Sequence, residues 1–183
     1  MFIQTERTPN PATLKFLPDQ PVLDDGCVTF DTADDAASSP LAQRLFGIDN
    51  VASIHLSVGF LSVTAKDPSM WDELKSEVMS ALMEHYTAGE AVVTGERYGD
   101  VKPIEDETNE VVRQIRTLLD EKVRPVVAQD GGAIEYRGFE DGVVYLKMLG
   151  ACAGCPSATA TLKNGIENLL KHYVPEVQEV VEA

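Results

Sequence analysis

The chain has 183 residues, enough for one large domain or two small ones, and 44% of them are hydrophobic, enough for packed cores. Its 15 Lys and Arg stand against 30 Asp and Glu, and the net charge of −15 repels nucleic-acid phosphates and anionic membranes. No apolar stretch approaches the length of a membrane span, and the start MFIQTERTPN shows no secretory signal, so a soluble cytoplasmic protein is expected.

The acidity is uneven: 6 basic and 16 acidic residues up to Asp100 give −10, and 9 against 14 beyond it give −5. In chain order, TLKF (Thr13 to Phe16) and CVTF (Cys27 to Phe30) read as strands that run into turn-forming or acidic residues. SPLAQRLFGI carries the punctuation of a short helix, with Ser39 as N-cap, Pro40 at the first helical position and Gly47 past the end. VASIHL and FLSVTA, separated by SVG and rich in β-branched residues, predict a hairpin. In SMWDELKSEVMSALMEHY, Ser69 stands three residues before Asp72, a capping-box spacing, and Trp71, Leu74, Val78, Ala81, Leu82 and His85 or Tyr86 form an apolar stripe. One amphipathic helix against a sheet follows from that pattern. GEAVVTGERYGDVKPIEDET then loses periodicity and gathers Gly, Pro and acidic residues, as linkers do.

Beyond the linker, NEVVRQIRTLLDEKVRP keeps apolar residues three or four apart at Val111, Val112, Ile115, Leu118, Leu119 and Val123, and Arg124-Pro125 is expected to end this helix. AIEYRGFEDGVVYLKML alternates around FEDG and predicts an antiparallel hairpin of Ile134 to Arg137 and Val143 to Leu149, with Val144, Leu146 and Met148 on one face. Ala158, Leu162, Ile166, Leu169, Leu170 and Tyr173 mark another helix face, and VPEVQEVVEA supplies a last strand. The fold class is therefore α+β, in two small domains that each pack a short sheet with two helices. Residues 1–90 form the first, 91–107 an acidic linker, and 108–183 the second, in the order helix, strand, strand, helix, strand.

Chemistry concentrates in LGACAGCPSATATLKNG, where Cys152 and Cys155 stand between a strand and a helix. A Cys-x-x-Cys turn lets two thiolates converge on one metal or close on each other. Gly150 and Gly154 leave space there, and Pro156 suits a first helical turn whose N–H groups favour negative charge. Iron–sulfur clusters of the 2Fe-2S and 4Fe-4S kinds take four cysteine ligands, so two per chain call for a second copy or exogenous thiols. Zinc fits the same four-sulfur tetrahedron. A thioredoxin-like dithiol is the redox alternative, weakened by the antiparallel hairpin that precedes the pair where a parallel strand–helix–strand unit is required. Two small buried side chains are the plain structural alternative, which the glycines and the helix cap, placing the pair near a surface, oppose.

Other candidates are weaker. Cys27 opens a strand and reads as core filler, His55, His85 and His172 have no ligand spacing, and Asp130-Gly131-Gly132 reads as a turn, with a backbone bend near the cysteines as the alternative. No phosphate loop, Ser-His-Asp set or metal-binding His-Glu pair is present in the sequence, so nothing recommends a hydrolase.

VRPVVAQDGGAIEY and LGACAGCPSATATLKNGIENLLKHYVPEV, with the spacing between them, resemble the C-terminal domain of NifU, the Nfu-type iron–sulfur scaffold and carrier family. MFIQTERTPNPATLKFLP, SPLAQRLFGIDNV and WDELKSEVMSAL resemble that family's separate N-terminal domain. The resemblance implies a non-enzymatic carrier in which Cys152 and Cys155 are cluster ligands and two chains share a 4Fe-4S cluster. It further implies that upstream assembly proteins supply the cluster and that apoproteins receive it. The N-terminal domain, without a ligand set, is then assigned to docking or specificity. Ala133 departs from the acidic residue expected after the two glycines, which puts the role of that carboxylate in doubt. Eukaryotic members are organellar, and the absence of a transit segment gives the expectation of a bacterial cytoplasmic protein.

Overall fold

The computed structural model describes residues 2–94, 109–153 and 156–183, of which 156–158 as helix backbone only. The chain divides into two compact units, Met1–Gly99 and Asp100–Ala183. Most of the expected linker lies outside the described residues.

Unit 1 is a five-stranded antiparallel sheet covered on one face by two helices. The strands are β1 (Ile3–Arg7), β2 (Thr13–Pro18), β3 (Cys27–Phe30), β4 (Val51–Ser57) and β5 (Leu61–Ala65), in the order β1-β2-β5-β4-β3. Strand β1 escapes the sequence reading because only Ile3 of IQTER is buried; it is an edge strand held by its register with β2 from Ile3 opposite Pro18 to Arg7 opposite Leu14. Phe16, Phe30, Ile54, Leu56, Leu61 and Val63 form the core face. Leu41 and Leu45 of α1 (Pro40–Phe46) and Leu74, Val78 and Leu82 of α2 (Trp71–Ala88) pack into the same cluster. Their period-2 and period-3.6 spacings are those the sequence displays.

The first helix starts as expected, with Ser39 Oγ accepting from the Ala42 N–H at 3.0 Å. The second does not. A short 3-10 turn, Pro68–Met70, precedes it, and Asp67 is its cap, accepting from the Ser69 N–H at 2.9 Å and the Ser69 hydroxyl at 2.7 Å. A carboxylate is the stronger acceptor, so Ser69 serves as donor and the expected Ser69–Asp72 box does not form. These two bonds hold the Asp67 carboxyl below its ordinary pKa. At the other end of α2, Gly89 takes the left-handed conformation (φ 66°) that closes a helix. Residues 91–94, which the sequence assigns to the linker, are fastened to unit 1. Ser39 Oγ donates to the Val92 carbonyl and the Thr94 N–H to the Ser38 carbonyl, each at 2.7 Å.

The other face of this sheet carries a polar row, one residue per strand in register: Glu6, Lys15, Ser62, His55 and Thr29. Lys15 Nζ sits 3.3 Å from the Glu6 carboxylate and 4.7 Å over the Phe60 ring. His55 is 1% exposed, and its Nδ1 is 2.9 Å from Thr29 Oγ1. Burial pulls its pKa down to about 4. Cys27, two residues before Thr29 on β3, lies half-buried on this polar face, which corrects its expected place in the core.

Unit 2 begins with α3 (Glu110–Leu118), whose cap Asn109 accepts from the Val111 N–H at 3.0 Å. The helix does not end at Arg124-Pro125. It widens through a single π-type turn, Leu119–Val123, and resumes as α4 (Arg124–Gln129). Proline lacks an N–H and crowds the carbonyl four residues back, and a wider turn accommodates both. That turn also keeps Val112, Ile115, Leu119, Val123 and Val127 buried on one side, although four-residue steps drift around a regular helix.

The hairpin β6 (Gly132–Glu140) and β7 (Val143–Gly150) is longer than expected. Asp141 (φ 49°) and Gly142 (φ 83°) form its two-residue left-handed turn, and a bulge between Tyr136 and Gly138 leaves Arg137 out of register. Val144, Leu146 and Met148 do share the buried face, with Ile166 and Leu170 of α5 (Pro156–Tyr173) in the same cluster. The last strand, β8 (Glu179–Glu182), pairs with β7 in parallel, so β7, α5 and β8 form a crossover unit. Both units are α+β as read from sequence. Among the described residues, no helix is long and apolar enough to cross a membrane.

Candidate metal centre

Cys152 stands two residues beyond the end of β7, on the turn that leaves that strand. Three glycines shape this turn. Gly131 (φ 78°) and Gly150 (φ 62°) adopt left-handed conformations that other residues rarely take, and Gly132 pairs with Gly150 where β6 begins. The Ala151 N–H reaches the Gly131 carbonyl at 3.1 Å, stitching the end of α4 to the cysteine turn. The Asp130-Gly131-Gly132 motif is therefore a backbone bend beside Cys152 as well as a turn.

Gly132 has a second role. A Cβ there would lie 2.3 Å from Cys152 Sγ, 2.8 Å from the Leu149 carbonyl oxygen and 2.9 Å from the Cys152 nitrogen. The space a side chain would need is filled by the sulfur. Cys152 is 6% exposed and belongs to the apolar cluster of unit 2, which corrects the expectation that it stands at the surface. Its carbonyl accepts from Thr159 Oγ1 at 2.9 Å, and the Ala153 N–H bonds the Gly150 carbonyl at 3.1 Å. Burial, and next the negative charge of Asp130, push the Cys152 thiol up to about 11. At neutral pH Cys152 is therefore a neutral, packed thiol.

Cys155 lies outside the described residues, so its placement relative to Cys152 is not part of this geometry. Among the described residues, no three His, Cys, Asp or Glu side chains are grouped to hold a metal ion. His55 and His85 belong to the interior of unit 1. His172 stacks edge-on against Tyr173 at 4.9 Å near the far end of α5, about 24 Å of helix from its start. Ala133 sits in β6 opposite Leu149, beside the glycine that receives the sulfur. The sequence reading passes over Thr159, which nothing in the sequence marks, and takes Gly132 only as part of a turn or backbone bend, without its contact to the sulfur.

Topology also changes one weighing. The cysteine turn joins β7 to α5 and onward to a parallel β8, so the parallel setting that a dithiol motif requires is present after all. The thiol's raised pKa works in the opposite direction, since a reactive cysteine needs its thiolate.

A chain of two α+β units, the second carrying Cys152 on the glycine-shaped turn that leaves β7 and a further cysteine three positions on in sequence, defines a protein of two small sheet-and-helix units. Residues 115–181 match the NifU-like domain, and residues 3–89 match the domain described as scaffold protein Nfu/NifU N terminal. NifU-like protein 4, mitochondrial, of Arabidopsis thaliana is 44% identical, over 98% of this chain and 65% of its own length. The NFU1 iron-sulfur cluster scaffold homolog, mitochondrial, of Homo sapiens is 45% identical, over 98% of this chain and 71% of its own. The chain belongs to the Nfu/NifU scaffold family. It spans about two thirds of the length of these relatives. A solution structure of a NifU-like protein from Saccharomyces cerevisiae aligns with a TM-score of 0.47 at 27% identity, covering 52% of this chain and 87% of that one. The mitochondrial names of the plant and human relatives overturn the expectation of a bacterial cytoplasmic protein.

Proposed function

We propose that the chain is a non-enzymatic scaffold and carrier whose cargo is an iron–sulfur cluster. Cys152 and Cys155 from each of two copies supply four thiolates to one 4Fe-4S cluster at a dimer interface. The observation that carries the reading is Cys152 on the strand-to-helix turn, with a second cysteine three residues on and two such thiols per chain. Soft thiolates are the donors that suit such a cluster, and a family of scaffold proteins supports the assignment. Binding drives the proton off each thiol, and release returns it. Transfer is ligand exchange: an acceptor thiolate forms a bond to iron as a carrier thiolate gives one up. Upstream assembly proteins act as donors, and apo iron–sulfur proteins as recipients. Unit 1 serves docking or specificity.

Anaerobic reconstitution with iron and sulfide tests this. The expected product is a brown dimer absorbing near ~400 nm, with iron and sulfide in equal amounts and one cluster per two chains. Cys152→Ala or Cys155→Ala abolishes it. A colourless monomer, or zinc at half an equivalent per chain, overturns the reading, and half the iron and sulfide reassigns the cargo as 2Fe-2S. The parallel crossover favours a second reading, a thiol–disulfide oxidoreductase, for which reduction of disulfides by the metal-free chain is the test.

A further inference from the structure

Cys152 is buried within unit 2 and not presented at a surface. Its side chain occupies the space left by the missing Gly132 side chain and is packed within the core cluster of unit 2. A cluster held between two copies needs that sulfur at a surface. Loading therefore requires Cys152 to leave its seat.

The hydrogen bonds around residue 152 show what opposes this movement. On one side the Ala151 N–H is bonded to the Gly131 carbonyl, an interaction between glycine-shaped backbones. On the other, the Cys152 carbonyl is bonded by a side chain, that of Thr159, seven residues on and within the first turns of α5. Thr159 is half-buried, and its hydroxyl spends its donor on a carbonyl outside its own helix. Threonine hydroxyls inside helices ordinarily bond the carbonyl three or four residues back. Here the bond ties the helix to the residue that carries the ligand.

We infer that Thr159 is a positioning residue that keeps Cys152 seated against Gly132, so that its hydrogen bond sets how readily the cysteine becomes available to cargo. The inference rests on the carrier reading for its purpose, while the sheltering itself is measurable without any cargo.

The test is alkylation of the metal-free 183-residue chain under native conditions, with initial rates assigned to individual cysteines by tandem mass spectrometry. In the wild-type chain, Cys152 reacts more slowly than in the urea-unfolded chain. Thr159→Val keeps the shape and removes the donor, and the Cys152 rate rises about fivefold, the factor corresponding to one neutral hydrogen bond. Cys27, in unit 1, keeps its rate and serves as the control for general loosening. Thr159→Ser retains the hydroxyl and restores the slow rate. An unprotected Cys152 in the wild-type chain, an unchanged rate in the valine variant, an equal acceleration at Cys27, or a serine variant as fast as valine each overturns the inference. Uptake of iron and sulfide by the same proteins is read separately. Its absence removes the carrier reading and leaves the sheltering result standing, whereas uptake with no effect of Thr159→Val on alkylation removes the inference alone.

Discussion

Gly132→Ala puts the geometry of the site to its severest test. The added methyl would sit 2.3 Å from Cys152 Sγ, 2.8 Å from the Leu149 oxygen and 2.9 Å from the Cys152 nitrogen, against an ordinary carbon contact of about 3.5–4.0 Å. Rotating the cysteine relieves only the first of these. The other two are backbone atoms, the Leu149 oxygen in β7 and the Cys152 nitrogen in the turn just beyond it. Overpacking that only side chains absorb costs about 1–3 kcal/mol, and two further clashes with backbone atoms put this change at ~3 kcal/mol or above. With a urea dependence of ~1.5 kcal/mol/M, the midpoint of unit 2 falls by about 2 M. The single tryptophan, Trp71, lies in unit 1 and reports that unit alone, so its transition stays in place while the far-UV signal of unit 2 moves. Gly165→Ala is the matched control: nothing lies within 4 Å of the new methyl inside α5, and the chain gains up to ~1 kcal/mol. Adding Cys152→Ala to Gly132→Ala recovers part of the loss, because one of the three collisions disappears. A Gly132→Ala protein within ~0.5 kcal/mol of wild type, the spread of a neutral surface change, refutes the claim that the sulfur occupies this space.

His55 makes the stability of unit 1 depend on acid. With a folded pKa of about 4 against 6.5 unfolded, the unfolded chain binds a proton that the folded chain refuses between those values. Stability is full above pH 6.5 and falls by ~1.4 kcal/mol per pH unit as pH drops toward 4, about 3 kcal/mol in all. Trp71 fluorescence in urea from pH 7 to 4.5 measures it, and His55→Asn flattens that component; parallel losses in both proteins count against the assignment. Ser39→Ala removes the cap of α1 and the donor to Val92, so a loss of ~1–2 kcal/mol accompanies faster hydrogen exchange at residues 92–94. Asp130→Asn deletes the charge that adds to burial at Cys152, so thiol absorbance titrates at lower pH than in wild type, while burial keeps it above an ordinary cysteine. An unchanged titration means that Asp130 is not the second cause.

Elements with a repeating apolar face were legible because burial alone specifies them. The stripe of α2 and the alternation of β7 are such cases, and both stand as read. What escaped depends on partners distant in sequence or on competition between neighbours. IQTER becomes a strand only because β2 offers it an edge. Asp67 displaces Ser69 as a cap because a carboxylate outbids a hydroxyl. The helix passes Pro125 because one wide turn absorbs what proline forbids, and that choice has no compositional mark. At the site, the cysteine spacing and the paired glycines were visible, yet their contact joins residues 132 and 152 across a hairpin. Sequence reading placed Cys152 at the surface because small neighbours leave room. The fold uses that room to bury the sulfur.

The parallel crossover removes topology as a way to tell a cluster carrier from a dithiol enzyme, because both chemistries suit a cysteine pair between a strand and a helix. Burial does not separate them either. A sulfur seated against Gly132 is withheld from an incoming disulfide as fully as from iron shared with another chain, so Cys152 must be released in both cases. The difference lies in how many thiols converge once it is free. Two in one chain complete a disulfide, a closed reaction that needs no second copy and leaves a monomer. Four-sulfur coordination is unfinished with two, and a copy related by symmetry completes it with the same pair of residues. Oligomeric state read together with metal and sulfide content therefore separates the two chemistries, since a dimer that forms only with iron and sulfide has no counterpart on the redox route.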